Sequence, residues 1–207
     1  MIINYPTFFK TRPVIKLHDP LQKFLGTFQD GIVEFTYLDI VKSAGHSCPM
    51  VTGAYLMTLK GLKALYRDEL PVRGDIIVSF NNTKEEGFTG VFAHVISQIT
   101  GAKDITGFKG IQGKFNRSNL LDFEINFEGL VKFERRDTGR AVSVTYDISS
   151  FQASEKQQLL MKKVLNGEAS QAEEIDFEVL WQQRVEKIFN HVSEVIEVKE
   201  LTATSVE

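Results

Sequence analysis

Residues 45–66 read GHSCPMVTGAYLMTLKGLKALY, and the arrangement of the whole chain turns on them. From Met50 to Tyr66 the residues are almost wholly apolar until Lys60, with Leu56, Met57 and Leu59 set among Gly53, Ala54 and Gly61. An apolar circumference predicts a buried helix, and the small residues permit close approach by another backbone. Pro49 fixes φ as a first helical residue does, which puts Cys48 at or near the N-cap. The macrodipole and free N–H groups there favour a negative sulfur. His46 stands two places earlier, and residues i and i+2 of an extended segment project from one side. An imidazole and a thiolate could therefore converge on one ion. The same pattern also suits an inert, buried cysteine ahead of a core helix.

Upstream, His18-Asp19-Pro20 with Leu21, Phe24, Leu25 and Gly26 predicts a two-turn helix, with Asp19 as N-cap, Pro20 first and Gly26 the stop. Gly31 to Tyr37 alternates, with Val33, Phe35 and Tyr37 on one side, which predicts a half-buried strand. Leu38 to Ala44 makes a short helix before Gly45 turns the chain.

Downstream, Pro71 and Gly74 bracket a turn, and Ile76 to Phe80 is a short apolar strand of central character. Phe88 to Thr100 is a second helix, with Val91, Phe92, Val95, Ile96 and Ile99 on its stripe and His94 on the flank. Gly101, Gly107, Gly110 and Gly113 then punctuate a segment of little regular pattern. It either wraps a ligand closely or makes ordinary turns between short strands. No phosphate-binding glycine motif is present.

Phe123 to Ile148 reads as β-structure, in which Phe123, Ile125 and Phe127 alternate with Glu124, Asn126 and Glu128, and Asp137-Thr138-Gly139 forms a hairpin loop. Ser154 with Gln157 and Ser170 with Glu173 have capping-box spacing and announce two further helices. The second runs to about Asn190 with Phe177, Trp181, Val185, Ile188 and Val192 on one face, and Val195 to Lys199 can add an edge strand. The expected fold is α+β: helix, strand, helix and then antiparallel strands in a mixed sheet packed on helices, with a C-terminal helical appendage. The expected division is an α+β domain over 1–150 and a helical subdomain or dimerisation arm over 151–207.

Composition narrows the function classes. Apolar residues make up 43% of the 207, enough for a real core. A net charge of −3 argues against a nucleic-acid or anionic-membrane partner. A lone cysteine excludes an internal disulfide, and neither a signal peptide nor a membrane span is read in the sequence. These features fit a soluble cytoplasmic protein.

The run Gly45-His46-Ser47-Cys48-Pro49 and its apolar helix resemble the FmdE-like family of formylmethanofuran dehydrogenase proteins. The likeness continues through Leu70-Pro71-Val72-Arg73-Gly74-Asp75, the helix ending Thr100-Gly101, and Gly113-Lys114, over roughly residues 20 to 145. It implies an α-β-α-β-β-β core, a metal near the His-x-Cys motif, commonly zinc, and often a homodimer. Members range from a component of a molybdenum- or tungsten-dependent enzyme to stand-alone proteins. Three positions depart from the family pattern. Ala44 stands where many members have a further histidine, Ala102 where many have a cysteine, and His94 where an acidic residue is common. The last 60 residues also lack the cysteine-rich zinc module of longer members.

His46 and Cys48 thus supply two ligands for zinc or another first-row divalent ion such as nickel, and His94 is the candidate third. Its other reading is a histidine hydrogen-bonded at a helix flank. His18, Asp39 or a second chain could complete the sphere, while His191 reads as structural at a helix C-terminus. Few protein ligands would leave a position open for water or a small molecule. Three function classes remain: an accessory or sensing metal-binding protein, a metal- or Cys48-dependent hydrolase or transferase, and a structural component of a larger oxidoreductase complex.

Overall fold

The computed structural model describes residues 4–201. After a short 3-10 helix (Thr7–Thr11), the chain forms β1 (Ile15–His18), α1 (Pro20–Phe24), β2 (Ile32–Phe35), α2 (Tyr37–Ala44) and α3 (Pro49–Tyr66). Next come β3 (Ile76–Phe80), α4 (Thr89–Thr100), β4 (Leu121–Asp122), β5 (Val131–Arg135) and β6 (Ala141–Tyr146). The last elements are α5 (Glu155–Leu165), α6 (Gln171–Asn190), α7 (Val192–Val195) and β7 (Ile196–Leu201).

The apolar helix α3 is the centre of the molecule. It packs against β5, β6 and β7 and is flanked by α2, α4 and α6. Val51, Ala54, Tyr55, Leu56 and Met57 are all fully buried. Its small residues accept aromatic rings, not the neighbouring backbone that the sequence suggested. A Cβ at Gly53 would overlap the Tyr146 ring, and one at Gly61 the Phe133 ring. The sheet therefore lies closer to α3 than any larger residue would allow.

Five strands form one mixed sheet in the order β4-β3-β5-β6-β7, antiparallel except for the short parallel pair β3 and β4. A separate antiparallel pair joins β1 to β2. The fold is α+β.

Local signals account for most element ends. Asp19 caps α1 by accepting from the Leu21 and Gln22 amides, and Thr36 with Asp39 forms a full capping box on α2. Tyr37 opens that helix and does not end the strand. The strand expected from Phe123 to Glu128 does not form: the segment is irregular, with Glu124 at φ 59° and Gly129 at φ 128°. Phe123 still stacks on Phe80, while Ile125 is exposed. Positive φ at Glu124 breaks the pleat, and only single amides such as Ile125 N–H to Phe80 O reach β3.

Beyond β6 the chain stays joined to this core. Ser170 and Glu173 complete the capping box of α6, and Val185, Ile188 and Phe189 enter the main hydrophobic cluster. β7 then pairs along the whole of β6, from Ala141–Leu201 to Tyr146–Ile196.

Candidate metal centre at the start of the buried helix

Gly45, in the left-handed conformation at φ 79°, ends α2 and reverses the chain. Cys48 is then extended at φ −149° and ψ 168° and caps α3, its sulfur accepting the Val51 amide at 3.4 Å. The exposed His46 ring turns back on α2, with Nδ1 3.1 Å from the Ala44 carbonyl. A carbonyl only accepts, so Nδ1 carries the proton and Nε2 keeps its lone pair.

Between these two residues, Ser47 ties the turn to the rest of the molecule. Its carbonyl accepts the Trp181 indole N–H at 2.8 Å. Its hydroxyl lies 3.1 Å from Gln182 Oε1 and 2.9 Å from the Tyr37 hydroxyl, which in turn lies 2.9 Å from Thr52 Oγ1. Thr52 donates to the Cys48 carbonyl. Burial pushes the Tyr37 phenol up to about 12, against the Ser47 and Thr52 hydrogen bonds that favour its ionised form, so it stays protonated at neutral pH. Helix α6 thus reaches the motif through neutral hydrogen bonds. Beside them lies an open groove of about 780 Å³, lined by Phe8, Phe177, Trp181, His46 and Ser47 among others.

His94 sits on the other flank. Its Nε2 lies 3.3 Å from the Ser43 carbonyl and 3.4 Å from the Ser43 hydroxyl. It lines a separate cleft of about 320 Å³ under α4, with Ser97, Lys103 and Asp104. The two histidines are therefore held by adjacent carbonyls of α2 and open into different cavities.

A family model described as "FmdE, Molybdenum formylmethanofuran dehydrogenase operon" matches residues 44–197 of this chain. The chain belongs to the FmdE family. No curated protein matches it. The match begins at the turn that carries His46 and Cys48 and runs through α6 into the start of β7. Among the described residues of this FmdE-family chain, no helix is long and apolar enough to cross a membrane.

The donors expected from the sequence are dispersed. Among the described residues, no three of His, Cys, Asp and Glu come together as a group that could hold a metal ion. Asp39 is engaged in its capping box, with Oδ2 2.6 Å from Thr36 Oγ1. His18 lies in β1, its ring against Gly31. His191 follows α6, its Nδ1 donating to the Lys187 carbonyl at 2.7 Å. Ala102, at the position where many FmdE members have a cysteine, is fully buried in the core. By type, a thiolate and an imidazole lone pair fit a zinc-like ion; by number, two donors fall short of a closed site. The sequence reading missed the Trp181 and Gln182 contacts to Ser47, because no local pattern signals a contact between distant residues.

Proposed function

We propose that this FmdE-family chain binds a first-row divalent metal, zinc or nickel, through Cys48 Sγ and His46 Nε2, beside a groove that takes a small molecule. The observation that carries this reading is the Nδ1 contact of His46 to the Ala44 carbonyl, which leaves Nε2 free two residues before an N-cap cysteine. The remaining positions are filled by His94 once its ring leaves Ser43, by a donor from a second copy in a homodimer, or by a groove ligand. A bound ion would supply a Lewis-acidic centre beside the groove. The chain's own part is to hold the turn: Gly45 sets its direction, Val51 N–H holds the Cys48 sulfur at the helix start, and Trp181 and Gln182 fix Ser47 between the two donors. A nucleophilic Cys48 is less well supported, because the His46 ring is turned to Ala44 and not to the sulfur.

The test is metal per chain by elemental mass spectrometry, on protein purified without a polyhistidine tag. Near-stoichiometric zinc or nickel is expected in the wild type, with loss in Cys48→Ala and retention in His191→Ala. A folded, metal-free wild type that also fails to take up added zinc would overturn the reading.

A second reading, a structural component of a larger oxidoreductase complex, is favoured by the outer face of α6. Ile175 and Val179 there are 53% and 49% exposed. Co-purification of a larger oxidoreductase with the native chain, lost on Ile175→Glu, is the outcome expected from that reading.

A further inference from the structure

The cleft under α4 contains a group that the metal reading does not use. Lys103 stands in the glycine-punctuated segment, directly after Thr100-Gly101-Ala102. Its backbone is pinned on both sides, the N–H donating to the Arg117 carbonyl at 3.0 Å and the carbonyl accepting from Leu120 N–H at 2.8 Å. Gly107 closes over its stem so tightly that a Cβ there would stand 2.7 Å from Lys103 Cβ and 2.6 Å from the Arg117 carbonyl. The amine itself donates to Ser97 Oγ at 3.0 Å. Among the described residues no carboxylate pairs with it. Asp104, its sequence neighbour, instead turns its carboxylate to the Thr106 amide and hydroxyl, at 2.9 and 2.5 Å.

A half-buried lysine that is rigidly placed, faces a cavity and lacks a counter-charge is costly to keep as a mere surface cation. We propose that this cleft is a second small-molecule site and that the Lys103 amine is its nucleophile, taking a small aldehyde or ketone as a reversible imine. The nitrogen lone pair adds to the carbonyl carbon, and the carbonyl π pair moves to oxygen, which takes up a proton. The resulting carbinolamine loses its hydroxyl as water while the C=N bond forms, so that both amine protons leave with the carbonyl oxygen; no electrons are exchanged. Ala93, Leu121 and Phe123 wall the cleft for an apolar body, and Ser97 and Thr106 add polar groups to its lining. A volume of about 320 Å³ suits a molecule of this size.

The charged and titratable groups around the amine are Lys84 across the cleft, His94 on α4, Asp104 beside it and the Arg73 guanidinium behind. Burial and Arg73 push the Lys103 ammonium down from its ordinary value, against the weaker pull of Asp104. A larger share of it is therefore the free amine at neutral pH than for an exposed lysine.

The test treats the intact, chelator-washed protein with limiting propionaldehyde at pH 7, traps imines with borohydride, and maps the added mass by peptide mass spectrometry. Lys103 should label faster than exposed Lys10 and Lys23 at pH 7, since a lowered ammonium pKa leaves a larger share of free amine. The preference should shrink as the pH rises towards 10. Lys103→Arg keeps the charge and the donor to Ser97, so it should melt as the wild type does and lose the label at that position. Labelling of Lys103 no faster than Lys10 and Lys23 between pH 6 and 9 would overturn the proposal. Because metal is removed and Cys48 is untouched, this result is independent of the metal measurement.

Discussion

The turn from α2 into α3 has two flanks built on different chemistry. On the α6 flank, Ser47 is held by Trp181 and Gln182 through neutral hydrogen bonds, and the groove wall is aromatic. On the α4 flank, the framework is ionic. Asp19, fully buried, accepts from Arg73 at 3.0 Å and Arg117 at 2.5 Å, and Arg73 also donates to the Gln98 and Ile99 carbonyls at the end of α4. Neutral contacts of about 1 kcal/mol each can open and close singly. A buried carboxylate between two guanidiniums cannot lose one partner without stranding the others. The Ser47 contacts beside the groove are thus the adjustable ones, and the Asp19 frame at the end of α4 is the fixed one.

The largest expected effect comes from breaking the fixed side. Asp19→Asn strands Arg73 and Arg117 and should cost about 3–5 kcal/mol in urea unfolding. Burial alone would raise the Asp19 carboxyl, but hydrogen bonds from Arg117, Gln22 and Arg73 hold it well below the usual carboxylate range. A depressed folded-state value means the contribution is complete above the unfolded value of about 4 and fades as the pH falls below it. Wild-type stability should therefore drop below about pH 4, and that slope should be flatter in Asp19→Asn. An unfolding free energy unchanged by Asp19→Asn would show that the ionic frame is not a fixed part of the fold.

Gly53→Ala strikes the wall shared by both flanks. The added methyl overlaps the Tyr146 ring, whose hydroxyl donates to the Pro49 carbonyl at 2.7 Å, so ring and hydrogen bond must both move. About 1–3 kcal/mol of destabilisation is expected by thermal or urea melts.

Trp181→Phe leaves the Ser47 carbonyl without its indole donor and should cost about 1 kcal/mol. If it costs as much as Asp19→Asn, the two flanks are not different in kind. The smallest signal needs no mutation. Trp181 is the only tryptophan, and its N–H touches the residue between the two proposed donors. Its emission should shift on titration with zinc or nickel and stay flat in Cys48→Ala.

What could be read from the sequence was local. Pro49 after Cys48, Asp19 before Pro20, and Ser170 with Glu173 each specify a helix start within four residues, and all three appear where expected. The Phe123–Glu128 alternation misled because Glu124 at φ 59° breaks the pleat, so the alternate residues no longer share one face and Ile125 is exposed. The N-cap position of Cys48 was legible for the same local reason as the helix starts. Whether His94 faces the same cavity was not, since that depends on which α2 carbonyl each ring meets. Asp19 was readable as a cap, but its arginine partners lie 54 and 98 residues away and no short-range rule names them.

The Trp181 contact to Ser47 spans 134 residues, and this distance is also a delay. A ribosome adding roughly 5–20 residues per second takes on the order of 7–27 s to traverse it. During that interval α2, the turn and α3 have left the tunnel while α6 has not yet been synthesised. The nascent chain displays Cys48 and His46 bare, so the surrounding medium, with its metals and oxidants, reaches them before the groove has its second wall.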